Sequence, residues 1–167
     1  MRRVVLISLV ALLLAAAAML LVPALRDRWR PWGPSWVQGI DVSHHQGAID
    51  WPVVADDGVR FAWIKATEGG DWVDPRFVEN WEGAGRAGIP RGAYHFFTFC
   101  RPGAEQAANF LATVPLAQGE LPPVVDLEYG GNCDRLPDSA SLGTELERFM
   151  DAVEAAAGQR PMVYVTG

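Results

Sequence analysis

Short apolar runs alternate with stretches of helical periodicity from Gly39 to Thr166, and this alternation restricts the fold more than any other feature of the chain. Strands separated by helices of that length do not pair as hairpins. They pair in parallel, and each crossover helix covers one face of the sheet. The predicted strands are residues 39–42, 60–66, 91–97, 121–127 and 161–166. Between the first two, Asp50 reads as a helix cap with Pro52 in the first turn. Asp74-Pro75 opens a second helix, with Phe77, Val78, Trp81 and Ala84 at helical spacing and Gly88 at its end. Residues 103–114 and 141–157 supply two more, the last one ended by Gly158. The loop Ser43-His44-His45-Gln46-Gly47 follows the first strand. The fold class is α/β, an arrangement that closes as a barrel with eight strands and about 250 residues. Five predicted strands therefore read as the first part of a larger domain.

The strongest chemical signal is Asp126-Leu127-Glu128, which closes the apolar run Pro122-Pro123-Val124-Val125. Residues two apart on a strand share a face, so both acids project together while Val125 and Leu127 bury the other side. The apolar run is that of a buried parallel strand, and Tyr129-Gly130-Gly131 turns directly after it. Both acids are thus placed at a carboxyl-terminal strand end, where barrel enzymes keep their chemistry. Two carboxylates held as neighbours repel, so one proton is retained more tightly than usual. A protonated acid beside an ionised one is what glycosidic bond cleavage requires. The alternative is a pair of solvated acids at a strand end.

The amino terminus has a different character. Arg2-Arg3 precede the uncharged apolar residues 4–25, long enough for a bilayer, which takes about 20. Residues 1–25 read as a signal-anchor or a signal peptide, residues 26–38 as a linker rich in Trp, Pro and Arg, and residues 39–167 as the folded domain. The expected location is outside the cytoplasm, membrane-anchored facing the periplasm or cell exterior, or secreted. Removing Arg2 and Arg3 takes the formal net charge from −6 to −8, and no basic stripe suggests nucleic acid. Cys100 and Cys133 each follow a predicted strand in loops at the same sheet end, which in an oxidising compartment favours a disulfide.

Four segments in order, Gly39-Ile40-Asp41-Val42-Ser43, Phe61-Ala62-Trp63-Ile64-Lys65-Ala66-Thr67-Glu68-Gly69, Gly92-Ala93-Tyr94-His95-Phe96 and Pro123-Val124-Val125-Asp126-Leu127-Glu128, resemble the family 25 glycoside hydrolases, the Chalaropsis-type lysozymes. The resemblance runs from Gly39 to Tyr164. It implies an irregular TIM-like (β/α) barrel and hydrolysis of the β-1,4 bond between N-acetylmuramic acid and N-acetylglucosamine. On these positions it implies Glu128 as general acid, Asp126 as its partner carboxylate and Asp41 as the acid ending the first strand. The family's further aspartate, from its last strand, falls beyond Gly167. The alternative is an incomplete barrel without catalysis that at most binds cell-wall glycan.

Candidate substrate contacts are His95 and Tyr94 on the third strand, Trp72 after Gly69-Gly70, and Tyr164 near the end of the fifth strand. For His95 the alternative is a histidine buried for structure, and for Tyr164 a half-buried edge aromatic. Lys65 and Glu68 read as a scaffold salt bridge. Adjacent loop residues such as His44 and His45 do not chelate together, so no metal and no cofactor are expected. The expected partners are peptidoglycan glycan strands and, through the amino-terminal segment, the membrane; the expected state is a monomer.

Overall fold

A computed structural model describes residues 36–116, 121–134 and 137–166. The apolar segment 4–25 and all of the linker before Trp36 lie outside the described residues. Among the described residues no helix is long and apolar enough to cross a membrane.

The alternation read from the sequence is realised as a mixed α/β fold with a curled, largely parallel half-barrel sheet. The chain runs β1 (Gly39–Val42), a 3-10 turn (His44–Gln46), α1 (Trp51–Asp56), β2 (Phe61–Glu68), β3 (Trp72–Val73), α2 (Phe77–Arg86), β4 (Arg91–Phe96), α3 (Gly103–Thr113), β5 (Val124–Leu127), α4 (Ser139–Ala157) and β6 (Met162–Val165). The sheet order is β1-β2-β4-β5-β6, with each neighbouring pair parallel. The short β3 folds back antiparallel on the end of β2.

Differences from the predicted boundaries have local causes. β5 begins at Val124 rather than at residue 121 because Pro122 and Pro123 have no N–H to give a ladder. The carbonyl of Pro122 instead accepts from Trp63 Nε1 at 3.0 Å. β2 continues to Glu68 because a register shift between Lys65 and Thr67 lets it keep pairing with β4. α4 starts at Ser139, since the Asp138 carboxylate accepts from the N–H groups of Ala140 and Ser141. Asp50 caps α1 and Gly158, at φ 72°, ends α4, both as read from the sequence. The segment read as a plain loop after β1 is a capped turn. Gln46 Oε1 accepts from Ser43 N at 2.8 Å while Ser43 Oγ accepts from His45 N at 3.2 Å.

The core lies between the sheet and the helices. Ala62, Ile64, Ala66, Ala93, Phe97 and Val125 meet Phe77, Trp81, Phe110, Phe149 and Val153 from α2, α3 and α4. α3 and α4 cross closely at Gly103, where a Cβ would sit 1.8 Å from the Glu145 carbonyl oxygen. Only glycine fits there, and its N–H donates to Glu145 Oε2 at 2.7 Å. The Cys100–Cys133 disulfide joins the loops after β4 and β5, 33 residues apart in sequence. It stands where the two loops meet at one sheet end.

Candidate active site

Strand parity decides what faces the open side of the sheet. Phe61, Trp63 and Lys65 of β2, Tyr94 and Phe96 of β4, and Val124 and Asp126 of β5 project into one cleft of about 670 Å³. Glu128, just past β5, and Asp41, on β1, line the same cleft, as does Tyr164 on β6. Tyr164 stands opposite Asp126 in the β5–β6 register and is half exposed. Asp41, Tyr94, Asp126, Glu128 and Tyr164 are therefore brought together from four parallel strands and the turn after β5.

His95 is not among them. Next to Tyr94 on a strand, it must point to the other face, and there it is fully buried against α3 and α4. Its ring stacks on Phe149 with centroids 4.8 Å apart. Gln106 Nε2 donates to the carbonyls of Thr98 and Arg101, which turns Gln106 Oε1 toward His95 Nε2 at 3.1 Å. His95 Nε2 is thus the protonated nitrogen, and Nδ1 accepts from Thr67 Oγ1 at 2.7 Å. Burial above all, with the charge of Lys65, pushes its pKa down to about 4, and the Gln106 hydrogen bond only partly offsets this. It is a neutral structural histidine.

Trp72 lies on β3 beside the cleft, one-third exposed. Its ring centroid is 5.3 Å from that of His44 and 5.1 Å from Lys65 Nζ. His44 is held by the buried Asp74, whose Oδ2 accepts from the His44 backbone N at 2.9 Å and pairs with Nδ1 at 2.8 Å. Lys65 and Glu68 form the anticipated salt bridge, 2.7 Å between Nζ and Oε2, and Lys65 Nζ also sits over the Phe96 ring. Lys65 lines the cleft, where its buried ammonium acts on Asp126. Ser43, His45 and Gln46 also line the cleft, which the sequence reading missed. The spacing Ser43-x-x-Gln46, a capping-box pattern after a strand, is the signal that marks that turn.

Asp126 dominates the electrostatics. Its pKa is raised to about 6, first by burial, then by the charge of Glu128, with smaller contributions from Asp41 and Glu68, while Lys65 opposes them. Its Oδ1 is sealed from water without a hydrogen-bond partner among the described residues. Tyr94 is pushed above the ordinary tyrosine range by burial and then by Asp41, Asp126 and Asp74, so its hydroxyl keeps its proton. The cleft thus holds a carboxyl that stays half-protonated near pH 6 beside other acids and a permanent O–H group.

These shifts act on stability with opposite signs. Asp126 holds a proton more tightly in the folded state, so its contribution falls as pH rises from about 4 to about 6 and stays low above that. A two-unit shift corresponds to ~3 kcal/mol, reduced to roughly 1–2 kcal/mol for a partly buried side chain screened by solvent. His95 binds its proton less tightly when folded, so its contribution is present above pH 6.5 and is lost as pH falls toward 4. The two oppose each other between pH 4 and 6, with the deeply buried His95 the larger. Asp126→Asn should expose the His95 slope: urea midpoints should rise with pH across that window and exceed wild type by ~1 kcal/mol at pH 7. Parallel pH curves for the two proteins would contradict this assignment.

Fold and cleft together define a glycosidase-type scaffold, with acids at the carboxyl-terminal ends of parallel strands. The description Glycosyl hydrolases family 25 matches residues 40–167, and the chain belongs to that family. It is 41% identical over 133 residues to the uncharacterized protein YegX of Escherichia coli K12, covering 77% of this chain and 47% of that one. It is 38% identical over 146 residues to Lysozyme M1 of Streptomyces globisporus, covering 81% and 48% respectively. A family 25 glycosyl hydrolase from Bacillus anthracis superposes with a TM-score of 0.74 at 37% identity, over 78% of this chain and 60% of that one. The chain spans about half the length of the first two relatives.

Proposed function

We propose that the chain is a peptidoglycan hydrolase that cleaves the β-1,4 bond between N-acetylmuramic acid and N-acetylglucosamine, with Glu128 as general acid. The observation that carries this reading is Asp126 beside Glu128 on the cleft floor, its pKa raised to about 6. The likeness to a protein named as a lysozyme supports the substrate class. The parallel strands and the family support an irregular TIM-like (β/α) barrel as the parent architecture. Arg2-Arg3 followed by the apolar residues 4–25 supports export, as an anchored or a secreted monomer acting on glycan strands.

In the proposed step the Glu128 carboxyl proton passes to the glycosidic oxygen as the C1–O bond breaks. The positive charge developing at C1 is met by the acetamido carbonyl oxygen of the same sugar. Asp126, ionised, accepts the acetamido N–H and so fixes that group for attack. Asp126 lines the cleft beside Glu128, where its carboxylate can take up that N–H. An N–H partner for Asp126 also favours its ionised form. Water then attacks C1, displacing the acetamido oxygen and so restoring the N-acetyl group, and gives its proton to Glu128. Tyr94, protonated, and Tyr164 contribute hydroxyl groups along the cleft.

The competent form of the pair carries one proton. Its last proton leaves near pH 6, so kcat/KM on purified peptidoglycan should fall as pH rises through about 6. Measurement of reducing-end release from pH 4 to 8 tests this. A rate that climbs steadily to pH 8 would exclude the pair as the proton source.

A further inference from the structure

The parallel ladder between β4 and β5 ends at the bond from Phe97 N to Asp126 O, 2.9 Å long. Had β5 continued, the next rung would come from Glu128, its N–H donating to Phe97 O and its C=O accepting from Phe99 N. That rung exists, but another residue makes it. The side-chain amide of Asn132 donates from Nδ2 to Phe97 O at 2.8 Å and accepts at Oδ1 from Phe99 N at 2.8 Å. The remaining Nδ2 hydrogen goes to Glu128 O at 3.0 Å, and Oδ1 accepts a second bond from Cys133 N at 2.9 Å. All four capacities of the amide are spent, and the two carbonyls and two N–H groups around it fix which end is oxygen.

Two consequences follow. Glu128 is released from the sheet, so its backbone is free to turn at the strand end while its carbonyl stays pinned. Asn132 is itself pinned, because the Cys100–Cys133 disulfide ties the residue after it to the residue after Phe99. We infer that Asn132 is the positioning residue for Glu128, its amide standing in for the missing strand rung and setting where the Glu128 carboxyl sits in the cleft. This rests on Glu128 being the acid proposed above, but the placement itself is testable without turnover. Asp126 senses that placement, since both carboxyls line one cleft and Glu128 acts on Asp126 more strongly than Lys65, Asp41 or Glu68 does.

The test uses the full chain with Asn132→Ala, and Asn132→Ser in case the first is poorly folded; both keep the disulfide tether. Three readouts are compared with wild type: the Asp126 carboxyl midpoint by carbon NMR, amide exchange at Phe99, and peptidoglycan kinetics resolved into kcat and KM. The expected result is a fall of half a unit or more in the Asp126 midpoint as the Glu128 charge moves off. Phe99 exchange should be at least about 10-fold faster, and kcat about 10-fold lower with KM within about twofold. An unchanged Asp126 midpoint in either folded variant overturns the inference, and so does an unchanged kcat where wild type turns over. If wild type does not cleave peptidoglycan yet the midpoint and the exchange both shift, the positioning role stands and the proposed function is what fails.

Discussion

Replacing Glu128 by Gln should lower peptidoglycan turnover by about 10²- to 10⁴-fold, the range a general acid supplies, with the fold intact. The side chain keeps its size and loses only the transferable proton. The Glu128 backbone carbonyl accepts from Asn132 Nδ2, and the substitution leaves that bond in place. Thermal stability should therefore stay within about 0.5 kcal/mol of wild type, as for a substitution away from core and buried networks. The substitution also removes the second-largest influence on Asp126, so that carboxyl should titrate below about 6 in the variant. Turnover within tenfold of wild type would remove Glu128 from the acid role. An unmoved Asp126 midpoint would show that the two carboxyls do not interact as neighbours.

The largest effect on stability is expected at Phe149, on the other side of the sheet. Its ring is 1% exposed, stacks on His95, and meets Phe97 edge-on at 5.9 Å and Phe110 at 6.0 Å. Truncation to Ala removes the apolar contact of three neighbours at once and leaves a cavity beside a buried histidine. The expected cost is ~3–5 kcal/mol, a large part of the ~5–15 kcal/mol that keeps a domain folded. Water entering that cavity should also lift the His95 pKa from about 4 toward its ordinary value, since burial is the main reason it is low. Urea denaturation and proton NMR of His95 measure both. A loss under about 1 kcal/mol would mean that α4 does not seal the sheet as described.

What the sequence makes legible here follows from periodicity. A period of two puts Asp126 and Glu128 on one face and Val125 on the other, and the cleft is built that way. The same rule separates Tyr94 from His95, so only one of the two reaches the cleft, and His95 follows the buried alternative. Caps and breakers mark Asp50, Gly158 and the end of α2 at the level of single residues. The tight fold-back of β3 onto the end of β2 left no such mark. The two-residue β3 exists only because β2 offers an edge at Thr67 and Glu68. The raised pKa of Asp126 depends first on burial, which no spacing encodes. Asn132 is an ordinary loop residue in the sequence, and its role is visible only when β5 is seen to stop one rung short of Phe99.

The central claim is tested most directly by incubating the protein with purified peptidoglycan and identifying the sugar at each new reducing end by mass spectrometry. The account predicts glycan fragments ending in N-acetylmuramic acid, formed faster below pH 6 than above it. Fragments ending in N-acetylglucosamine, or binding to the wall material with no new reducing ends, would contradict it.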